Sequence, residues 1–143
     1  MKVCVIQFMK NDKAHFGEQR AAKQMGIEFI SSGDGFSWLS KDLDESAARA
    51  RHGWELAKQK ISSGEYDVIV LDEMTYPLSF GWLDWTQVRI WLEAHRPKML
   101  HLVITGRDAL PELVEYADLV TEMRAVKHPF DEQGIKAQPG IEY

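Results

Sequence analysis

Cys4 is the only cysteine in the 143 residues, which excludes an intramolecular disulfide and a cysteine-built zinc cluster. It sits inside the apolar run Val3-Cys4-Val5-Ile6, where a buried structural thiol is expected rather than a reactive one. His15, His52, His95, His101 and His128 show no HxxxH or HxH spacing, so no zinc site is indicated. There is no Gly-x-Ser-x-Gly elbow and no Cys-His arrangement, which leaves a hydrolase without support. None of the ten glycines is followed by Lys-Ser or Lys-Thr, so the Gly-Lys-Ser/Thr nest that usually cradles nucleotide phosphates is not found within these residues. Lys and Arg form no run and the net charge is -5, which argues against a nucleic-acid partner. Long apolar stretches are missing too: the run from Val3 to Met9 is broken by Gln7 and closed by Lys10. It is too short to span a membrane, and no small-residue cleavage site follows it. A cytoplasmic chain with no membrane partner is the expectation.

What is present is the composition of an ordinary globular protein, 45% hydrophobic and 27% charged, without repeats or low-complexity tracts. A chain of this length buries roughly 70% of the surface that its unfolded form exposes, and no linker interrupts it, so residues 1–143 read as a single domain. Three short runs rich in β-branched residues, Lys2 to Met9, Tyr66 to Leu71 and Leu100 to Thr105, lack polar alternation. Such runs suit strands covered on both faces. Ile27 to Ile30 is a shorter candidate, and Leu119 to Val126 mixes apolar and charged residues as an edge strand does, giving about five strands. Between them, Ala47, Ala50, Trp54, Ala57 and Ile61 mark one amphipathic helix, with Asp42 and Glu45 placed like a capping box. Further helices are predicted from Glu18 to Met25, ending at Gly26, from Asp84 to Ala94, stopping before Pro97, and from Pro111 to Ala117. The fold class is therefore α/β: an open, mostly parallel sheet sandwiched by helices.

Three segments could carry chemistry. Val68-Ile69-Val70-Leu71 ends in the adjacent carboxylates Asp72 and Glu73; at the carboxyl end of a strand such acids can hold hydrated Mg²⁺ beside a nucleotide phosphate. The same letters also suit a helix start or a solvated turn. Leu102-Val103-Ile104 delivers Thr105, Gly106 and Arg107 to the same kind of strand end, where an arginine fork can face phosphate oxygens or simply solvent. Gly33-Asp34-Gly35-Phe36-Ser37-Trp38 places two large aromatics in a glycine-rich loop, where they either cover something apolar or fold back on the core. Trp82, Trp85 and Trp91 are read as core.

Taken together the chain resembles the ATP:corrinoid adenosyltransferases. The likeness runs through Val5-Ile6-Gln7-Phe8-Met9-Lys10, Gly17-Glu18, Gly35-Phe36-Ser37-Trp38, Leu71-Asp72-Glu73-Met74-Thr75-Tyr76 and Ile104-Thr105-Gly106-Arg107. It continues through Ala117-Asp118-Leu119-Val120-Thr121-Glu122-Met123-Arg124, Lys127-His128-Pro129-Phe130, Gly134-Ile135-Lys136-Ala137-Gln138 and Gly140-Ile141-Glu142-Tyr143. The resemblance implies a RecA-like P-loop sheet, a homodimer, and transfer of the 5′-deoxyadenosyl group of ATP to cobalt(I) of a corrinoid, with a reduced flavin or flavoprotein as electron donor. It implies that Asp72 and Glu73 are the Mg²⁺-associated catalytic acids and that Lys10, Thr105, Gly106 and Arg107 bind nucleotide. Phe36 and Trp38, with Gly35, are implied to close the lower face of the corrinoid. One departure stands out: the family begins with a strand, a Gly-x-x-x-x-Gly-Lys-Ser/Thr loop and a helix, and this sequence opens at the strand after them. Either an adenosyltransferase read or made without its first segment, or a corrinoid-binding module without ATP chemistry, fits that departure. Asn11 and Asp108 also stand where glycines are frequent in the family.

Overall fold

The computed structural model describes residues 1–9, 17–32, 43–136 and 138. Four strands, β1 (Val3–Gln7), β2 (Glu28–Ser31), β3 (Val68–Asp72) and β4 (His101–Ile104), form one sheet in the order β2-β1-β3-β4. All three pairings are parallel. The helices among the described residues are α1 (Gly17–Gln24), α2 (Leu43–Ser62), α3 (Thr75–Ser79), α4 (Trp85–His95), α5 (Pro111–Tyr116) and α6 (Pro129–Gln133).

Register decides which side chains share a face, because successive residues of a strand point to opposite sides. Cys4 pairs with Ile69 and Ile69 with Leu102, while Ile6 pairs with Leu71 and Leu71 with Ile104. That face is the core: Cys4, Ile6, Ile69 and Leu71 are wholly inaccessible, and they join Trp54, Ala57 and Ile61 of α2 and Val88 and Leu92 of α4. Each such aliphatic side chain contributes roughly 1.5–3 kcal/mol by leaving water. The rows Val3-Val68 and Val5-Val70-Val103 lie on the other face. There Val5 and Val70 are half-buried and Val103 is 42% exposed. The expectation of equal cover on both faces therefore needs correcting: the apolar runs carry a fully buried row and a partly covered one.

Local signals behave as written in the sequence. Asp84 caps α4, its carboxylate accepting from the Gln87 N–H at 3.1 Å, and the helix ends at Arg96, ahead of Pro97. Gly26 after α1 is left-handed at φ 69. Trp54 of α2 meets Trp91 of α4 edge-to-face, and Trp85 meets Tyr116 of α5 in the same way, so these tryptophans are packing residues. Gly53 lets α2 approach the end of β1, since a Cβ there would come within 2.9 Å of the Ser32 Cβ and 3.1 Å of the Phe8 ring. Asp42 of the expected capping box lies outside the described residues.

The expected fifth strand, Leu119 to Val126, is not formed. The segment belongs to no helix or strand, and Leu119, Met123 and Val126 are 84%, 93% and 87% exposed. Its letters have β propensity, but a strand exists only where a neighbour supplies backbone partners, which no local pattern reveals. Two short helices, α3 and α6, were not legible either; five residues each are too few for a helical period to show.

Candidate functional site

The end of β3 is where the buried core gives way to the candidate site. Leu71 is buried and Asp72 follows it at the strand terminus, half-buried. The backbone holds Asp72 from both sides: its carbonyl accepts the Phe8 N–H at 3.0 Å, and the preceding carbonyl of Leu71 accepts the Thr105 N–H at 3.2 Å. Because β1, β3 and β4 run in parallel, Gln7, Asp72 and Thr105 all arrive at the same carboxyl edge, the edge where open α/β sheets bind ligands.

Side chains then tie these three strand ends together. The Thr105 hydroxyl donates to Asp72 Oδ1 at 2.7 Å and accepts the Glu73 N–H at 3.1 Å. The other carboxylate oxygen, Asp72 Oδ2, accepts from Gln7 Nε2 at 2.9 Å. A carboxylate only accepts, which fixes the Gln7 amide with its nitrogen toward Asp72. Gln7 is 1% exposed, and its Oε1 is buried without a hydrogen-bond partner. Glu73 leaves the strand at φ 60, the left-handed region that few residues other than glycine occupy. The bond from its N–H to Thr105 is what secures that turn, and α3 begins two residues later.

The second strand end is built for close approach. Gly106 sits at φ 139, and a Cβ on it would stand 2.0 Å from Thr75 Oγ1. Thr75, at the start of α3, is buried, and its Oγ1 has no hydrogen-bond partner. Asp108 takes φ 54, the conformation that explains why glycine suits that position and why a short acidic side chain is tolerated there.

The sequence-derived residues thus divide. Asp72, Glu73, Thr105 and Gly106 are brought together, and the single hydroxyl proton of Thr105 is engaged by Asp72 rather than turned outward. Arg107 is exposed, two residues past Thr105 at the same end of the sheet as the two acids. Lys10, Gly35, Phe36 and Trp38 lie outside the described residues. Gln7 is the member that sequence reasoning did not assign to the site; its signal was a polar residue at the carboxyl end of an otherwise apolar strand.

The donor set is hard and anionic. Two adjacent carboxylates at a strand end suit Mg²⁺, which takes one or two protein carboxylates and completes its shell with water and phosphate oxygens. Among the described residues no group of three or more His, Cys, Asp and Glu comes together, so a closed all-protein metal cage is not built there. A shallow concavity of about 410 Å³, lined by residues including Gln19, Lys23, Ile27 and Ser31, lies at the β2 edge and not at the carboxylates. No helix among the described residues is long and apolar enough to cross a membrane.

Comparison with known proteins adds to this geometry. The family model described as ATP:corrinoid adenosyltransferase BtuR/CobO/CobP matches residues 1–143. A corrinoid adenosyltransferase from Sinorhizobium sp is 39% identical over 145 residues, spanning 100% of this chain and 67% of the relative. One from Escherichia coli K12 is 37% identical over 142 residues, spanning 99% of this chain and 71% of the relative. Corrinoid adenosyltransferase CobA of Salmonella typhimurium is 36% identical over 141 residues, with 99% and 70% spanned.

Proposed function

The chain belongs to the ATP:corrinoid adenosyltransferase family, and from that premise we propose that it transfers the 5′-deoxyadenosyl group of ATP to cobalt(I) of a corrinoid, in the formation or salvage of adenosylcobalamin. The observation that carries this reading is the pair Asp72 and Glu73 at the end of β3, with Asp72 held by Gln7 and Thr105. Cobalt(I) is itself a strong nucleophile, so the protein needs no general base for the attack. Its work is to place C5′ of ATP against cobalt and to stabilise charge on the departing tripolyphosphate.

Asp72 and Glu73 are the residues that would hold Mg²⁺, which when bound supplies charge neutralisation to the leaving phosphates. Thr105 and Gly106 shape the adjoining strand end, and Arg107 and Lys10 are the cations assigned to phosphate oxygens. Phe36 and Trp38, with Gly35 between Gly33 and Trp38 in the sequence, are assigned to the lower face of the corrinoid, where apolar rings exclude an axial ligand and make cobalt(II) easier to reduce. The sheet is read as RecA-like, the working unit as a homodimer in the cytoplasm, and the electron donor as a reduced flavin or flavoprotein.

A second reading has one specific feature in its favour: without a Gly-Lys-Ser/Thr sequence in these 143 residues, a corrinoid-binding module that does no ATP chemistry is the alternative. The deciding experiment incubates the protein with ATP, Mg²⁺ and chemically reduced cob(I)alamin and follows adenosylcobalamin by its absorbance. Slow product formation that Asp72→Asn and Glu73→Gln abolish is the expected result. Corrinoid binding without any product, by a wild-type chain that is folded, would overturn the transferase reading in favour of the binding module.

A further inference from the structure

We propose that Gln7 is a positioning residue of the carboxylate site: its side-chain amide, delivered by a neighbouring strand, selects one rotamer of Asp72 and aims it. The functional consequence rests on the reading of Asp72 as a metal-associated acid; the positioning itself does not.

The register of the sheet is the starting point. Gln7 is the last residue of β1 and lies directly beside Asp72, the last residue of β3, so both side chains project on the same face. Burying a glutamine to 1% exposure is costly unless its polar atoms are used. Here one use is evident, the 2.9 Å bond from Nε2 to Asp72 Oδ2, while Oε1 is left buried with no partner. A residue chosen for packing alone would be leucine or methionine at this place in an apolar strand. What glutamine adds is a donor that reaches a carboxylate already held at its other oxygen by Thr105. With one donor, Asp72 could swivel about that bond. With donors on both oxygens, coming from strands on either side of β3, the plane of the carboxylate is set.

The test measures the orientation of Asp72 directly. Three-bond Hα–Hβ couplings of Asp72 are recorded in the wild-type protein, in Gln7→Met, which keeps the volume and removes the donor, and in Thr105→Ser, which keeps the hydroxyl. One large and one small coupling, reporting a single rotamer, are expected in wild type and Thr105→Ser, with averaged couplings in Gln7→Met. If Gln7→Met does not fold, Gln7→Leu takes its place. Unchanged couplings in the folded variant overturn the proposal. In parallel, Mn²⁺ is titrated calorimetrically into the same proteins, and a roughly tenfold loss of affinity is expected on removing the amide, the scale on which groups that orient metal ligands act. Averaged couplings together with no Mn²⁺ binding even by wild type would sustain the positioning role and overturn the metal reading of Asp72. Wild-type Mn²⁺ affinity in Gln7→Met, with couplings unchanged, would overturn the positioning role and leave the metal reading standing.

Discussion

Gly106 and Thr75 are in such close approach that a single added carbon cannot be placed between them: a Cβ on Gly106 would lie 2.0 Å from Thr75 Oγ1 and 3.1 Å from Thr75 Cβ. Thr75 is β-branched and buried at the head of α3, so its side chain has little freedom to turn aside. The φ of 139 at Gly106 is a second obstacle, since only glycine visits that region cheaply. Gly106→Ala is therefore expected to cost about 2–4 kcal/mol in urea denaturation. Pairing it with Thr75→Ala should return the steric part and leave the backbone part. A loss below about 0.5 kcal/mol in the single variant would show that the two strand ends are less tightly joined than described.

Glu73 combines a strained backbone with its proposed role at the metal site, and the two can be separated. A non-glycine residue at φ 60 costs on the order of 1 kcal/mol, and the conformation persists because the Thr105 hydroxyl holds the Glu73 N–H. Glu73→Gly relieves the strain but loosens the unfolded chain by a comparable amount, so stability should stay within about 0.5 kcal/mol of wild type. Glu73→Val, with a branched Cβ in the same conformation, should lose about 1–2 kcal/mol. Both should lose adenosylation. A Gly variant less stable than the Val variant would contradict the strain.

Much of this was visible in the letters. The runs containing Val68-Ile69-Val70-Leu71 and Leu102-Val103-Ile104 announce parallel strands, and Asp72, Glu73, Thr105 and Gly106 follow from strand ends meeting at one edge. Gln7 was not visible as a site residue, because its partner lies 65 positions away and only the β1–β3 register brings them side by side. The Thr75–Gly106 contact is hidden for the same reason: two backbones must be placed before a missing Cβ acquires meaning. Leu119 to Val126 misled in the opposite direction, since propensity was present and a paired neighbour was not.

Cys4 offers a check on the core that is independent of the site. It is inaccessible to solvent, and burial pushes its thiol up to about 11, with nearby Glu28 adding to the effect. The thiolate is the reactive form, so native protein at pH 8 should react with a disulfide reagent only through unfolding, and the rate should rise to that of a free thiol in denaturant. Rapid labelling of the native chain would mean that β1 opens easily.

The opposite end of the sheet, where the strands begin, carries a charge network whose pH dependence can be worked out. Glu28 of β2 accepts from Lys60 of α2 at 2.7 Å and from the Tyr66 hydroxyl, while Lys2 bonds Glu65 at 2.6 Å and lies over the Tyr66 ring. The hydrogen bond from Lys60, then that from Tyr66, holds the Glu28 carboxyl below its ordinary value of 4.5. A carboxyl lowered on folding stabilises the native state above its unfolded pKa, and that contribution is lost as pH falls through the folded value. The Glu28 side chain is 40% exposed, so screening limits the effect to about 0.5–1 kcal/mol. Glu28→Gln should therefore be less stable than wild type by that amount at pH 7, and the gap should close as the pH is taken below 4.5. Added salt at 1 M should narrow the gap at pH 7 as well, because the Debye length there is about 3 Å. A gap that persists unchanged into acid would show that the contribution of Glu28 does not come from its ionised carboxylate.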